Sequence, residues 1–233
     1  MDKEEYVVAT KEEIAITTAP KKSFGKTAMS DFILGILGGF CISLGGIAFL
    51  ARGGGVVGAL FFAVGLFTIC TFNFNLYTGK VCYVLDNKPT FWWTVIFTYL
   101  GNIVGTLIAG YGIQLTRFVD NPKTSALIQS IADTKINDEW YSIFVLAILC
   151  NIMIFIAVDG FKNNKHDIGK YLSLMFGVSV FVICGFEHSI ADMFYFSVAN
   201  AWSLKSVLFI LLITLGNAIG GLIIPIIRKF IKN

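Results

Sequence analysis

Apolar residues dominate this chain in six long stretches, joined by short polar segments. They lie at about 29–50, 56–84, 91–115, 139–159, 171–198 and 204–227, each near or above the ~20 residues a helix needs to cross a bilayer. The second and fifth are too long for one straight crossing, and both carry polar residues near the middle. In the second these are Asn73, Asn75, Thr78, Gly79 and Lys80, within TFNFNLYTGK. In the fifth they are Glu187, His188 and Asp192, within CGFEHSIADMF. Ionisable groups at membrane depth are expensive and are tolerated where they face a protein interior or a water-filled path. Gly185 loosens the helix just before them. A helix broken at mid-membrane, with its ends aimed at a cavity, builds a site for small ions. The pattern therefore predicts a pore, with helices 2 and 5 broken.

Two of the stretches repeat one another. Leu100 to Ile108 reads LGNIVGTLI and Leu215 to Ile223 reads LGNAIGGLI, identical at six of nine positions. Each copy follows a broken stretch at similar distance, so helices 1–3 and 4–6 read as two copies of one unit. An odd number of spans per unit forces the copies into opposite orientation, giving two inverted three-helix repeats. Gly and Asn at the same place in each copy predict close helix approach and an interhelical hydrogen bond. Helix 1 is glycine-dense, with Gly35, Gly38, Gly39, Gly45 and Gly46, which favours backbone-to-backbone packing.

The basic residues set the orientation. With the N-terminus in the cytoplasm, thirteen Lys and Arg collect on that side against five on the other, so both termini are expected inside. The expected location is the cell's inner, cytoplasmic membrane. The only long outer connection is 116–138, which carries Lys135 just before helix 4. Residues 1–28 are expected to form a cytoplasmic tail with a short amphipathic helix around Tyr6, Val7, Val8, Ile14 and Ile16. They lack the basic-then-apolar order of a signal peptide. Residues 29–227 form the six-helix membrane domain, and 228–233 a short cytoplasmic tail.

Composition narrows the choice further. Of the 233 residues 56% are hydrophobic and 14% charged, an integral-membrane balance. The net charge of +3 gives no argument for nucleic acid. The five cysteines, Cys41, Cys70, Cys82, Cys150 and Cys184, contain no CxxC pair and read as small hydrophobes. Two histidines are too few for a histidine metal cage, and no metal or cofactor is expected. An intramembrane enzyme is a remote alternative. A zinc protease needs HExxH, whereas Glu187–His188 has no second histidine nearby, and no GxSG nucleophile turn is present. A mere scaffold would carry two mid-membrane polar breaks at a cost in stability and for no purpose.

At the level of motifs the chain resembles the formate/nitrite transporters over about residues 25–230. The resemblance rests on GFEHSIADMF in helix 5, ILCNIMIF (148–155) in helix 4, NLYTGK (75–80) in the break of helix 2, and the paired GN repeats. It implies an all-α, aquaporin-like fold of six transmembrane helices. It also implies a homopentamer in the lipid bilayer, with a pore in each protomer for small monovalent anions such as formate, nitrite or, in one branch, hydrosulfide. By motif, His188 matches the family's central pore histidine and Thr78 the threonine of the helix 2 break. Asn151 matches the helix 4 asparagine, and Lys135 the lysine that makes the vestibule attractive to anions. The apolar constrictions fall on Phe62, Leu66, Leu76, Tyr77 and Phe181. Asn75 stands where many members have glutamate, and Asp192 where asparagine is usual. Tyr77 and Lys80 are also uncommon there. These departures favour the hydrosulfide branch over formate, with a proton-coupled formate or nitrite carrier as the alternative.

His188 is the one group whose ordinary pKa, about 6.5, lies near physiological pH. It could lend a hydrogen bond or a proton to a weak-acid anion, or serve as a structural hydrogen-bond partner. Glu187 points roughly 100° away from His188 on a helix. A carboxylate in an anion path repels its cargo, so Glu187 is expected to tie the break to backbone amides, with Asn75 and Gly185 as further structural residues there. Thr78 and Asn151 are neutral donors, suited to passage without tight binding. Lys135 either concentrates anions at the outer mouth or is a solvated loop lysine. Phe62, Tyr77 and Phe181 are either ordinary core or rings that exclude hydrated ions on each side of the polar centre.

Overall fold

A computed structural model describes residues 23–232, and the expected amphipathic helix of the N-terminal tail lies outside the described residues. Helices run over Phe24–Ala51 (α1), Gly55–Phe62 (α2), Val64–Phe72 (α3), Tyr77–Val81 (α4), Phe91–Gln114 (α5), Pro122–Asn137 (α6), Trp140–Asn163 (α7), Asp167–Ile183 (α8), Ser189–Val198 (α9) and Leu204–Lys232 (α10). Five stretches are long and apolar enough to cross a membrane: 24–51, 55–72, 91–114, 140–163 and 204–231. The apolar run at 171–198 is split into α8 and α9, so neither piece is a full span by itself. Phe61, Val145, Leu208 and Ile227 are among many large apolar side chains left exposed. Such a surface is stable only against lipid or other protein.

Three boundaries differ from the sequence expectation. The first helix starts at Phe24, ahead of residue 29. The last runs on to Lys232, its end tied down by Arg228 on Asp159 at 2.7 Å and Lys229 on Asp86 at 3.3 Å. The connection at 116–138 is mostly the helix α6. Asn121 caps it by accepting from the Lys123 and Thr124 amides, with Pro122 at its first position, where the missing N–H costs nothing.

The LGN repeat explains how the two units are held. Helix α1 packs along α5, and α7 along α10. A Cβ at Gly101 or Gly105 would collide with the backbone of α1, and one at Gly220 with the backbone of α7; only glycine lets the helices come this close. The neighbouring asparagines then each pin a break. Asn102 accepts from the Tyr77 amide at 2.8 Å and donates to Gly35 O at 2.7 Å and Asn75 O at 3.0 Å. Asn217 accepts from the Ser189 amide at 2.9 Å and donates to Ala147 O at 2.8 Å and Glu187 O at 2.9 Å. The pattern is the same in both halves. An asparagine on the third helix of the unit crosses to the first helix, and grips the two backbone positions that flank the start of the re-entrant piece.

Both asparagines are fully buried, so truncation strands backbone groups without water. Each orphaned group costs about 1–3 kcal/mol. Asn102→Leu or Asn217→Leu should therefore lower the thermal midpoint markedly, while the same substitution at Asn163, whose bond to Asp159 is exposed to water, should lower it far less. Differential scanning fluorimetry in detergent checks this.

Candidate functional site

The two breaks meet in the buried interior, where Thr78 of one touches His188 of the other. Helix α3 ends at Asn73 in a left-handed conformation, φ 57°. Residues 74–76 run on without helix before α4 starts. Helix α8 ends at Cys184, and Gly185 follows at φ +66°, a conformation that a Cβ disfavours. His188 then caps α9, its Nδ1 accepting from the Ala191 amide at 3.1 Å. On the other edge of the ring, Nε2 lies 3.0 Å from Thr78 Oγ1.

This geometry selects a tautomer. Because Nδ1 serves as an acceptor, the ring proton of neutral His188 is on Nε2 and is donated to Thr78. The Thr78 hydroxyl hydrogen is left to donate onward, polarised by the bond it receives. Phe181 covers the imidazole face, with centroids 5.5 Å apart and an interplanar angle of 15°, and Phe62 packs edge-on against Phe181 at 5.9 Å.

A cavity lies on each side of this contact. The one on the α6 side, about 220 Å³, is lined by Phe62, Phe181, Lys135, His188 and Asp192 among others. The one on the side of the chain ends, about 190 Å³, is lined by Leu66, Leu76, Asn73, Lys80 and Lys162 among others. The expected constriction residues therefore divide two and two, with Phe62 and Phe181 toward α6 and Leu66 and Leu76 toward the chain ends. Tyr77 lines neither cavity. Its ring packs on Tyr99 at 4.9 Å, and its hydroxyl donates to Thr214 O at 3.0 Å. As the first residue of α4 it points toward α5 and α10, opposite to the expected constriction role.

Asn151 is buried beside the site. It donates to Thr78 O at 3.1 Å, in space left by Gly221, and so holds α4 in place from behind. Asn75 anchors the first break by donating to Asp31 at 3.0 Å, and its amide donates to Leu34 O at 3.1 Å.

Lys135 differs most from its expected surroundings. Its Nζ sits 2.5 Å from Glu187 Oε2 and 2.7 Å from Asp192 Oδ1, with all three side chains nearly or fully buried. Burial pulls the ammonium toward its neutral form, but the Asp192 and Glu187 carboxylates outweigh this and hold it charged above the ordinary lysine range. Glu187 thus pairs with an ammonium and not with backbone amides. A buried lysine needs anionic partners, while the backbone of the break is already served by Asn217. Among the described residues Asp192 Oδ2 has no hydrogen-bond partner. One lysine faces two carboxylates.

Sequence reading placed Asp192 in the helix 5 motif without giving it a role, and did not bring Lys162 into the site. The register of α6 carried a signal for its lysine, since Ile128, Ala132 and Lys135 fall on one helix face and the first two are buried.

A formate/nitrite transporter family model matches residues 11–230 of the chain. The chain is 29% identical over 202 residues to the formate channel FocA of Haemophilus influenzae, covering 78% of this chain and 70% of that one. It is 26% identical over 212 residues to the formate channel BtFdhC of Bacillus thuringiensis, covering 80% and 79%. Among solved structures it is similar to a pentameric formate channel with formate bound, at TM-score 0.81 and 21% identity over 90% of this chain and 98% of that one.

Proposed function

Given that the chain belongs to the formate/nitrite transporter family, we propose that it is a membrane channel for small monovalent anions of weak acids, formate first, with His188 and Thr78 at the centre of each protomer's path. The observation that carries this reading is the Thr78–His188 contact, which joins the two breaks between two cavities. The relatives named as formate channels put formate first among the anions. The solved pentamer of the same fold supports a homopentamer. Both chain ends lie in the cytoplasm, on the lysine-rich face, and the membrane is the inner, cytoplasmic one.

The path runs from the α6 cavity between Phe62 and Phe181, past the Thr78 hydroxyl and the His188 edge, and on between Leu66 and Leu76. The aromatic pair strips hydration, and the two leucines do the same from the other side. Between them the anion meets neutral donors, which compensate part of its lost water without trapping it. His188 acts as a hydrogen-bond donor through Nε2–H and Thr78. Lending that proton outright would first require a second proton on Nδ1, and this would displace the Ala191 amide. Hydrosulfide is the second substrate reading. It rests on Asn75 and Asp192, which stand where many members carry glutamate and asparagine.

Liposome flux with formate, nitrite and hydrosulfide, with and without an imposed pH gradient, tests the reading. The expected result is formate flux down its own gradient at matched pH. Flux that requires the pH gradient would make the protein a proton-coupled carrier, and no anion flux would end the reading.

A further inference from the structure

The two cavities carry unlike charge. In the α6 cavity the single lysine, Lys135, is matched by Glu187 and Asp192 at 2.5 and 2.7 Å. In the cavity toward the chain ends, Lys80 and Lys162 both reach the lining, which among the described residues contains no carboxylate. Among the described residues neither lysine has an acidic partner within salt-bridge distance. The nearby acids Asp159 and Asp31 lie outside this lining. Asp159 is held by Arg228 and by Asn163, and Asp31 accepts from Asn75 and Thr94. Lys162 lies over the Tyr83 ring at 3.8 Å from its centroid, a contact that keeps its charge and leaves the hydrogens on the far side of the ammonium for an anion.

Resting on the channel reading above, we propose that Lys80 and Lys162 form an anion-loading site on the side of the chain ends, which captures small monovalent anions for passage and holds divalent oxyanions as blockers. Two lysines on one cavity focus field on it and raise the local anion concentration. The far cavity offers no such net charge, so loading is one-sided. A divalent oxyanion such as sulfate matches two lysines better than one formate does. Its hydration and charge keep it from passing Leu66, Leu76 and the neutral donors beyond. The cavity is therefore both a funnel for formate and a trap for sulfate, on one face only.

The test records formate currents through single pentamers in a planar bilayer, with the side of the chain ends identified by an antibody to a C-terminal tag. Formate is varied on one side at a time, and sulfate is then added to each side in turn. The half-saturating formate concentration should be about tenfold lower from the chain-end side, and sulfate should block from that side alone. Both differences should shrink at high ionic strength. Lys80→Gln with Lys162→Gln should abolish them while formate still passes, with size-exclusion chromatography showing the pentamer intact. Symmetric loading in the wild type, or sidedness and sulfate block that persist in the double variant, would overturn the inference and leave the channel reading standing. Absence of formate current from either side would overturn both.

Discussion

His188→Asn should fold, assemble and conduct poorly. An asparagine at this cap still offers an oxygen to the Ala191 amide, and asparagine is among the best residues at a helix N-terminus. The thermal midpoint should therefore stay close to that of the wild type. Its side chain is too short to reach Thr78 as Nε2 does at 3.0 Å. The polarised Thr78 hydroxyl is then lost at the point where the anion is least hydrated. A hydrogen bond to a charged group is worth about 1.5–3 kcal/mol, so flux should fall by roughly ten- to a hundredfold. His188→Gln gives the complementary result: its amide reaches toward Thr78 but leaves the cap unfilled. It should retain more flux than His188→Asn and melt lower. The reverse order, with flux tracking stability, would reduce His188 to a structural cap.

Lys135→Met should be the most damaging single substitution in the α6 cavity. It leaves Glu187 and Asp192 facing one another with no cation, and stranding a buried charge in this way costs about 3–5 kcal/mol. The measurable outcome is a large fall in the melting temperature of the assembled protein in detergent, or failure to assemble. Lys135→Met combined with Glu187→Gln and Asp192→Asn should recover most of the loss, because no charge is then left unpaired. The lysine is held charged more firmly in the folded chain than in the unfolded one. Its contribution is therefore complete below the unfolded lysine value of ~10.4 and is lost only as pH rises above it. Across neutral pH its contribution should not change. Asp192→Asn alone should raise formate uptake from the α6 side at low ionic strength, by relieving the excess of carboxylate over lysine, with the gain screened away at high salt. A Lys135→Met protein that melts like the wild type would show that the ion cluster does not hold α6 to α9.

Much of this architecture was legible because lipid imposes simple rules on sequence. The two overlong apolar runs could only be broken, and the duplicated LGN segment tied the breaks into two equivalent units. The contacts of Asn102 and Asn217 are the interhelical hydrogen bonds which that repeat implied. Side-chain direction within the breaks was less accessible. Tyr77 and Leu76 are adjacent, yet one turns to α5 and the other to a cavity. That choice follows from where α4 starts, which Asn102 sets from another helix. The environment of Lys135 was hidden for a related reason. Read as part of a loop, it had no face, whereas the Asn121–Pro122 cap and the helix that follows turn it inward onto Glu187 and Asp192. Lys162 lies just past the apolar stretch 139–159, far in sequence from Lys80, and only the folded chain places both on one cavity.

The central claim is that formate crosses each protomer past His188, and mixed pentamers test it most directly. Wild-type and His188→Asn chains with different tags are co-expressed in a series of ratios, purified through both tags, and assayed for formate flux in liposomes. Independent protomer pores predict that flux falls in direct proportion to the fraction of His188→Asn chains. Flux that is unaffected by the variant chains, or that collapses once a single one is present, would contradict a path through each protomer.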